Sequence, residues 1–266
     1  MFVAVLFVFT LTLYFIWTKN VFSQCQKKSD SAHLITLIKQ ESKNVSEPLD
    51  GIRALLVIAH PDDECMFFGP AVLKLRQLGA QIHVLCLSTG NYYHEGQWRQ
   101  KELTGSCGVL GIPASQVTIV DNKDLPDDPA VTWSPHLVSS LILKHIKESL
   151  ANLVLSFDGT GVSGHANHIA IYRGLRYIAS CCFLALQSVN IIRKYLSVLE
   201  LPVSWMCTFD FCCITGLKEY RQAKKAMFCH HSQLLWYRYI YLLVSRYMFI
   251  NTFQVITQEE GNFKIH

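Results

Sequence analysis

Short apolar runs rich in Leu, Val and Ile alternate with longer stretches of mixed polarity from residue 54 onward. Residues 54–59 have the length and composition of a buried parallel strand. Residues 70–78 predict a helix closed by Gly79, and 81–88 a second strand running into the loop Thr89-Gly90-Asn91. A helix over 98–110 meets the stop signal Gly111-Ile112-Pro113. Residues 116–120 read as a third strand, 121–129 as an Asp- and Pro-rich loop, and 134–150 as a helix. A fourth strand over 153–157 and a helix over 168–177 complete the pattern. Strands alternating with helices predict an α/β fold, with a Rossmann-like, mostly parallel sheet and helices on both faces. No Gly-x-Gly-x-x-Gly follows the first strand, so a dinucleotide is not the expected ligand.

The ends of the chain read differently. Residues 2–17 carry no charge, close to the roughly 20 apolar residues that span a bilayer. We expect an N-terminal transmembrane anchor at 1–18 rather than a cleaved signal peptide, since no basic residue precedes the run. Lys19, Lys27 and Lys28 all follow it, and the positive-inside rule then places the rest of the chain in the cytosol. Residues 19–51 read as a linker with one short helix around 34–40, 52–250 as the folded domain, and 251–266 as a tail that frays from Glu259. Residues 217–231 look helical. The aromatic and basic run 232–249 suits either a helix lying in a membrane interface or one packed on the domain core, and we expect the second.

Composition narrows the partners. Half the residues are hydrophobic and 17% are charged, and a net charge of +4 without a basic block argues against nucleic acid. The ten cysteines include no Cys-x-x-Cys pair, so buried reduced thiols are expected instead of a zinc ribbon or disulfide framework. The sequon Asn44-Val45-Ser46 would be modified only in a lumen, which makes it a topology reporter.

Two clusters carry the chemistry. The first strand runs straight into His60-Pro-Asp-Asp-Glu64, where Pro61 ends the strand. The fourth runs into Asp158-Gly-Thr-Gly-Val-Ser-Gly-His-Ala-Asn-His168, glycine-rich and then rich in ligand types. Loops after parallel strands open on one edge of the sheet. His60, Asp62, Asp63, His165 and His168 can therefore converge on a metal or acid/base site. Two histidines and a carboxylate around an open position suit a catalytic zinc. The remaining groups supply a general base and a proton donor.

The motifs Ala59-His-Pro-Asp-Asp-Glu64 and Gly164-His-x-Asn-His168 resemble those of the zinc-dependent de-N-acetylases acting on N-acetylglucosamine conjugates. Residues 90–93, 120–122, 157–158, 187–190 and 229–233 are also similar to the branch of that family serving glycosylphosphatidylinositol anchor synthesis. The resemblance implies removal of acetyl from N-acetylglucosaminyl-phosphatidylinositol, with one zinc held by His60, Asp63 and His168. It makes Asp62 the general base and His165 the group assisting the oxyanion or leaving nitrogen. Glu64 would orient a neighbouring ligand or cap a helix. Arg99 would grip the inositol phosphate, and His230 would lie near the glycolipid substrate. It also implies an endoplasmic-reticulum membrane protein with its catalytic domain in the cytosol.

Some related sugar deacetylases have a tyrosine where this chain has Ser163. The connection through 169–186 is short and apolar, with Ala179-Ser-Cys-Cys-Phe183 poor in turn residues. It predicts a shifted strand or reduced stability, and motivates a second reading as a catalytically impaired, membrane-tethered glycolipid-binding protein. A two-metal phosphoesterase is a third.

Overall fold

The computed structural model describes residues 2–27, 29–41, 51–178 and 181–256. In chain order the helices are α1 (Phe2–Lys27), α2 (Ser31–Glu41), α3 (Asp63–Met66), α4 (Gly69–Gln77), α5 (Gly96–Val109) and α6 (Pro135–Ser149). They continue with α7 (Gly161–Gly164), α8 (Ala166–Leu175), α9 (Ile191–Lys194), α10 (Leu201–Trp205), α11 (Leu217–Met227) and α12 (Trp236–Val244). The strands are β1 (Arg53–Ile58), β2 (Gln81–Cys86), β3 (Val117–Ile119), β4 (Leu153–Phe157), β5 (Cys182–Leu186), β6 (Phe211–Ile214) and β7 (Ile250–Val255).

The seven strands form one sheet in the order β3-β2-β1-β4-β5-β7-β6, with β7 antiparallel to both β5 and β6 and the other pairs parallel. Apolar runs uninterrupted by alternation suit strands covered on both faces, and all five residues of β4 are buried. The chain steps from β1 outward to β2 and β3, then returns to β4 on the other side of β1. That reversal separates the loops after β1 and β4 and leaves a crevice between them, where open α/β sheets bind ligands. Both polar clusters open into it.

Several expectations are corrected. The short helix expected within the linker forms as α2, but it belongs to the domain: its Leu34 and Ile38 lie four residues apart on one helix face and are fully buried against the core. The expected tail begins with β7, whose Ile250, Asn251, Thr252 and Phe253 are all buried, because β5 and β6 cover both its edges. The helix expected over 232–249 breaks at Ser245. Its extended backbone lets its hydroxyl accept from Tyr247 N at 3.3 Å. Nor does α12 pack its aromatic face on the core: within it only Tyr241 and Leu242 are buried. Residues 44–46 and 257–266, which hold the sequon and the expected frayed end, lie outside the described residues.

The apolar connection after α8 does not shift its strand. β5 pairs in parallel with β4 from Cys182↔Leu153 to Phe157↔Leu186. Turn geometry begins at Arg176, and residues 179–180 lie outside the described set. Among the described residues one helix is long and apolar enough to cross a membrane, over Val5–Ser23. Its far end joins the domain, where Val21 is buried with Leu201, Phe209, Cys212 and Ile250. Among the described residues seven cysteines are buried.

Candidate metal centre

The turn after β1 is built by its own carboxylates. Asp63 Oδ2 accepts from the backbone N–H of Ala59 at 3.1 Å and of His60 at 2.9 Å. Glu64 Oε2 accepts from Asp62 N at 3.1 Å. This folds Asp62 into a backbone conformation at φ 123° that L residues rarely adopt. Asp62 is thereby turned into the crevice, away from the helix that starts at Asp63.

The turn after β4 is organised by Asp158. Its Oδ1 accepts from Thr160 N, Gly161 N and the Ser188 hydroxyl, and its Oδ2 from Ser188 N at 2.7 Å. Gly161 sits at φ 60°, and a Cβ there would lie 3.0 Å from the Cβ of His168. Its carbonyl is 3.1 Å from His168 Nδ1 and fixes the ring, which stacks on Phe157 at a centroid distance of 3.7 Å.

Three histidines meet in the crevice. Ring nitrogens of His60, His165 and His168 can come within 4.8 Å of one another. Asp63 Oδ2 lies 3.3 Å from His168 Nε2 and 3.7 Å from His60 Nδ1. His168 Nε2 is buried and makes no hydrogen bond. A buried nitrogen with a lone pair, oriented through Nδ1 and facing a carboxylate, is what a metal ligand requires. His60 is oriented in the same way, with Nε2 3.1 Å from Asp127 Oδ1. The expected set of His60, Asp63 and His168 is thus brought together and fits a divalent ion.

The electrostatics agree with separate tasks. Burial opposes the charge on Asp63, but His168 and His60 outweigh it and hold the carboxyl well below its usual range. Burial raises the Asp62 pKa, against the pull of Arg99 and Arg238. The Asp62 carboxylate lies 3.3 Å from Arg238 Nη2 and 3.8 Å from Arg99 Nη2, on the cavity side of the turn. Burial together with the neighbouring His60 and His168 lowers His165 to about 4. Burial alone would depress His60, but Asp127, Asp63 and Asp62 raise it.

Two expected substrate residues have other work. Arg99 lines the cavity, but its Nη2 donates to Pro61 O at 2.7 Å and its Nη1 to Gly90 O at 3.0 Å. It clamps the loops after β1 and β2, and its fork is not free for a phosphate. His230 is fully buried beneath Glu64, with Nε2 2.7 Å from Glu64 Oε1, so it does not reach a substrate. Ser106 donates to the same oxygen. Asp127 and Arg238 went unrecognised in the sequence. The first follows β3 at the same sheet edge as the two clusters, which is the signal that could have found it. The second needed the placement of α12.

His60, Asp62, Asp63, Asp127, His165 and His168 line a cavity of about 720 Å³. Its walls include Tyr92, Lys194, Tyr195, Trp236 and Tyr237.

The family described as PIG-L: GlcNAc-PI de-N-acetylase matches residues 55–179, a span holding both polar clusters, Arg99 and Asp127. A curated N-acetylglucosaminyl-phosphatidylinositol de-N-acetylase from Bos taurus is 49% identical over 212 residues, covering 77% of this chain and 84% of that protein. The chain belongs to the GlcNAc-PI de-N-acetylase family. A probable member from Dictyostelium discoideum is 34% identical over 236 residues, covering 75% of this chain and 92% of that protein. The fold is similar to that of the N,N'-diacetylchitobiose deacetylase of Pyrococcus horikoshii, with a TM-score of 0.57 and 14% identity over 80% of this chain and 87% of that one. Within the family span lie both turns that carry the candidate ligands, whereas Arg238 and His230 lie beyond it.

Proposed function

We propose that this deacetylase hydrolyses the acetamide of N-acetylglucosaminyl-phosphatidylinositol, giving acetate and glucosaminyl-phosphatidylinositol, with zinc held by His60, Asp63 and His168. The observation that carries it is the unpartnered, buried His168 Nε2 facing Asp63, with Asp62 left outside that set beside the cavity. A zinc ion bound there would polarise the acetamide carbonyl and make water acidic enough to attack near neutral pH. Asp62 takes the proton of the attacking water as its oxygen adds to the carbonyl carbon. His165, held neutral by burial and its histidine neighbours, donates a hydrogen bond to the developing oxyanion. The carbon–nitrogen bond then breaks, and the proton taken by Asp62 passes to the departing amine.

The phosphodiester would be met by Lys194 on the cavity wall. Among the described residues no carboxylate pairs with Lys194, whose pKa is lowered by burial and by Arg238. An anion would relieve that cost. Val5–Ser23 would anchor the protein in the endoplasmic-reticulum membrane, with the domain on the cytosolic side where Lys19, Lys27 and Lys28 lie.

The test is acetate release by the purified, zinc-loaded full chain from N-acetylglucosaminyl-phosphatidylinositol, beside His168→Ala. Release that vanishes in the variant together with bound zinc is the expected result. A folded, zinc-loaded wild type that releases no acetate would overturn the reading.

A further inference from the structure

The stripe Trp236, Tyr239, Ile240 and Leu243 recurs at helical spacing along α12, and all four side chains are at least half exposed. A helix on a globular domain normally turns such a stripe inward. Here the opposite side of α12 carries Tyr241 and Leu242 into the core and Arg238 toward Asp62. A second apolar surface begins at α9, where Ile191 and Ile192 are more than 70% exposed, and runs through Leu199 to Met206, which is 78% exposed.

These two surfaces meet at the cavity. Lys194 and Tyr195 from one side and Trp236 and Ile240 from the other line the same opening. The second surface also receives the candidate membrane helix: Tyr14 Oη donates to Leu199 O at 3.0 Å, and α1 packs on α10. Residues 191–206 and 235–244 carry Arg193, Lys194 and Arg238, and their single carboxylate, Glu200, is fully buried against Arg193 and Arg246. Exposed aromatics and aliphatics beside basic groups, continuous with an apolar helix, match a bilayer's headgroup boundary rather than a polar protein surface.

We propose that the α12 stripe and residues 191–206 form a collar that dips from the headgroup region into the adjoining leaflet beside α1, so that the cavity opens directly onto the lipid surface. The sugar of a lipid-linked substrate then reaches His60 and His168 while its acyl chains stay in the membrane. The collar rests on reading Val5–Ser23 as a span, and the experiment separates the two.

The full chain is reconstituted into phosphatidylcholine vesicles with and without lipids brominated on their acyl chains. Subtracting the emission of Trp236→Phe and of Trp17→Phe isolates each tryptophan. Quenching of both is the expected result. Quenching of Trp17 without Trp236 leaves the span standing and overturns the collar. Quenching of neither overturns both. Kinetics give a second readout through the double variant Ile192→Glu, Leu243→Glu, neither of which lines the cavity. Its kcat/KM should fall about tenfold or more on diacyl substrate in vesicles, with no change on a short-chain, water-soluble analogue. Equal loss on both substrates would overturn the collar, as would an unchanged rate on the diacyl one.

Discussion

Asp127 Oδ1 stands 3.1 Å from His60 Nε2, while its Oδ2 takes a bond from Arg99 Nη1 at 3.3 Å. The carboxylate thereby orients a candidate ligand it does not replace. Asp127→Asn keeps the shape and removes the charge, so zinc affinity should fall about 10–100-fold with the fold intact. Competition with a chromophoric chelator measures it, and an unchanged affinity would remove Asp127 from this role.

Asp62 lies outside the ligand set and is aimed at the cavity by an unusual backbone conformation. Asp62→Asn should retain one zinc per chain and lose about 10²–10⁴ in kcat. Single-turnover acetate release with parallel metal analysis checks this. Near-normal turnover would exclude Asp62 as the base.

His230 and Glu64 predict a pH-dependent stability. Burial disfavours charge on both, but each raises the case for the other: the His230 pKa is raised by Glu64, and the Glu64 pKa is lowered by His230 and Ser106. The His230 contribution is full below its ordinary value of 6.5 and is lost as pH rises through the higher folded value. The Glu64 contribution is full above its ordinary 4.5 and is lost as pH falls through the lower folded value. The pair therefore contributes most between those ordinary values. Thermal melts of wild type should fall more steeply from pH 6 toward alkaline pH than those of His230→Gln. At pH 6 the variant should be less stable by about 3–5 kcal/mol. Parallel pH slopes would disprove the coupling.

Gly161→Ala places a Cβ at positive φ, 3.0 Å from both the Cβ of His168 and Cγ1 of Ile169. The strain should cost about 1–2 kcal/mol, and zinc should weaken because the Gly161 carbonyl no longer holds His168. Gly164→Ala is the control: it has positive φ as well, yet nothing lies within 4 Å of its Cβ. It should lose stability without losing zinc affinity, which melts and metal titration together decide.

The two polar clusters were legible because each directly follows an apolar run, and a parallel sheet brings such ends to one edge. Strands β1 and β4 are adjacent, so 108 residues of separation between His60 and His168 placed no obstacle between them. Glu64 and His230 lie 166 apart without any such strand logic, and their contact forms only when α11 packs against α3. His230 therefore read as a substrate residue when it is a buried counter-ion. β6 was missed because it is only four residues long and β7 because Asn251, Thr252 and Gln254 interrupt it, and antiparallel pairing at one side of a parallel sheet leaves no helix-strand rhythm. The outward stripe of α12 misled for another reason: hydrophobic periodicity reports that a face is covered, not what covers it.

β7 has a further consequence. It inserts between β5 and β6, and its Asn251 accepts from Ala71 N at 3.1 Å and donates to Phe67 O at 2.8 Å, holding the α3–α4 junction directly after the turn that carries the candidate ligands. β7 is thus a keystone for a junction 180 residues before it in the sequence. During translation α1 emerges long before β7, so β5 stays unpaired on one side until residues 250–255 have been made. Loss of β7 would reach the turn of the candidate ligands as surely as a substitution within it.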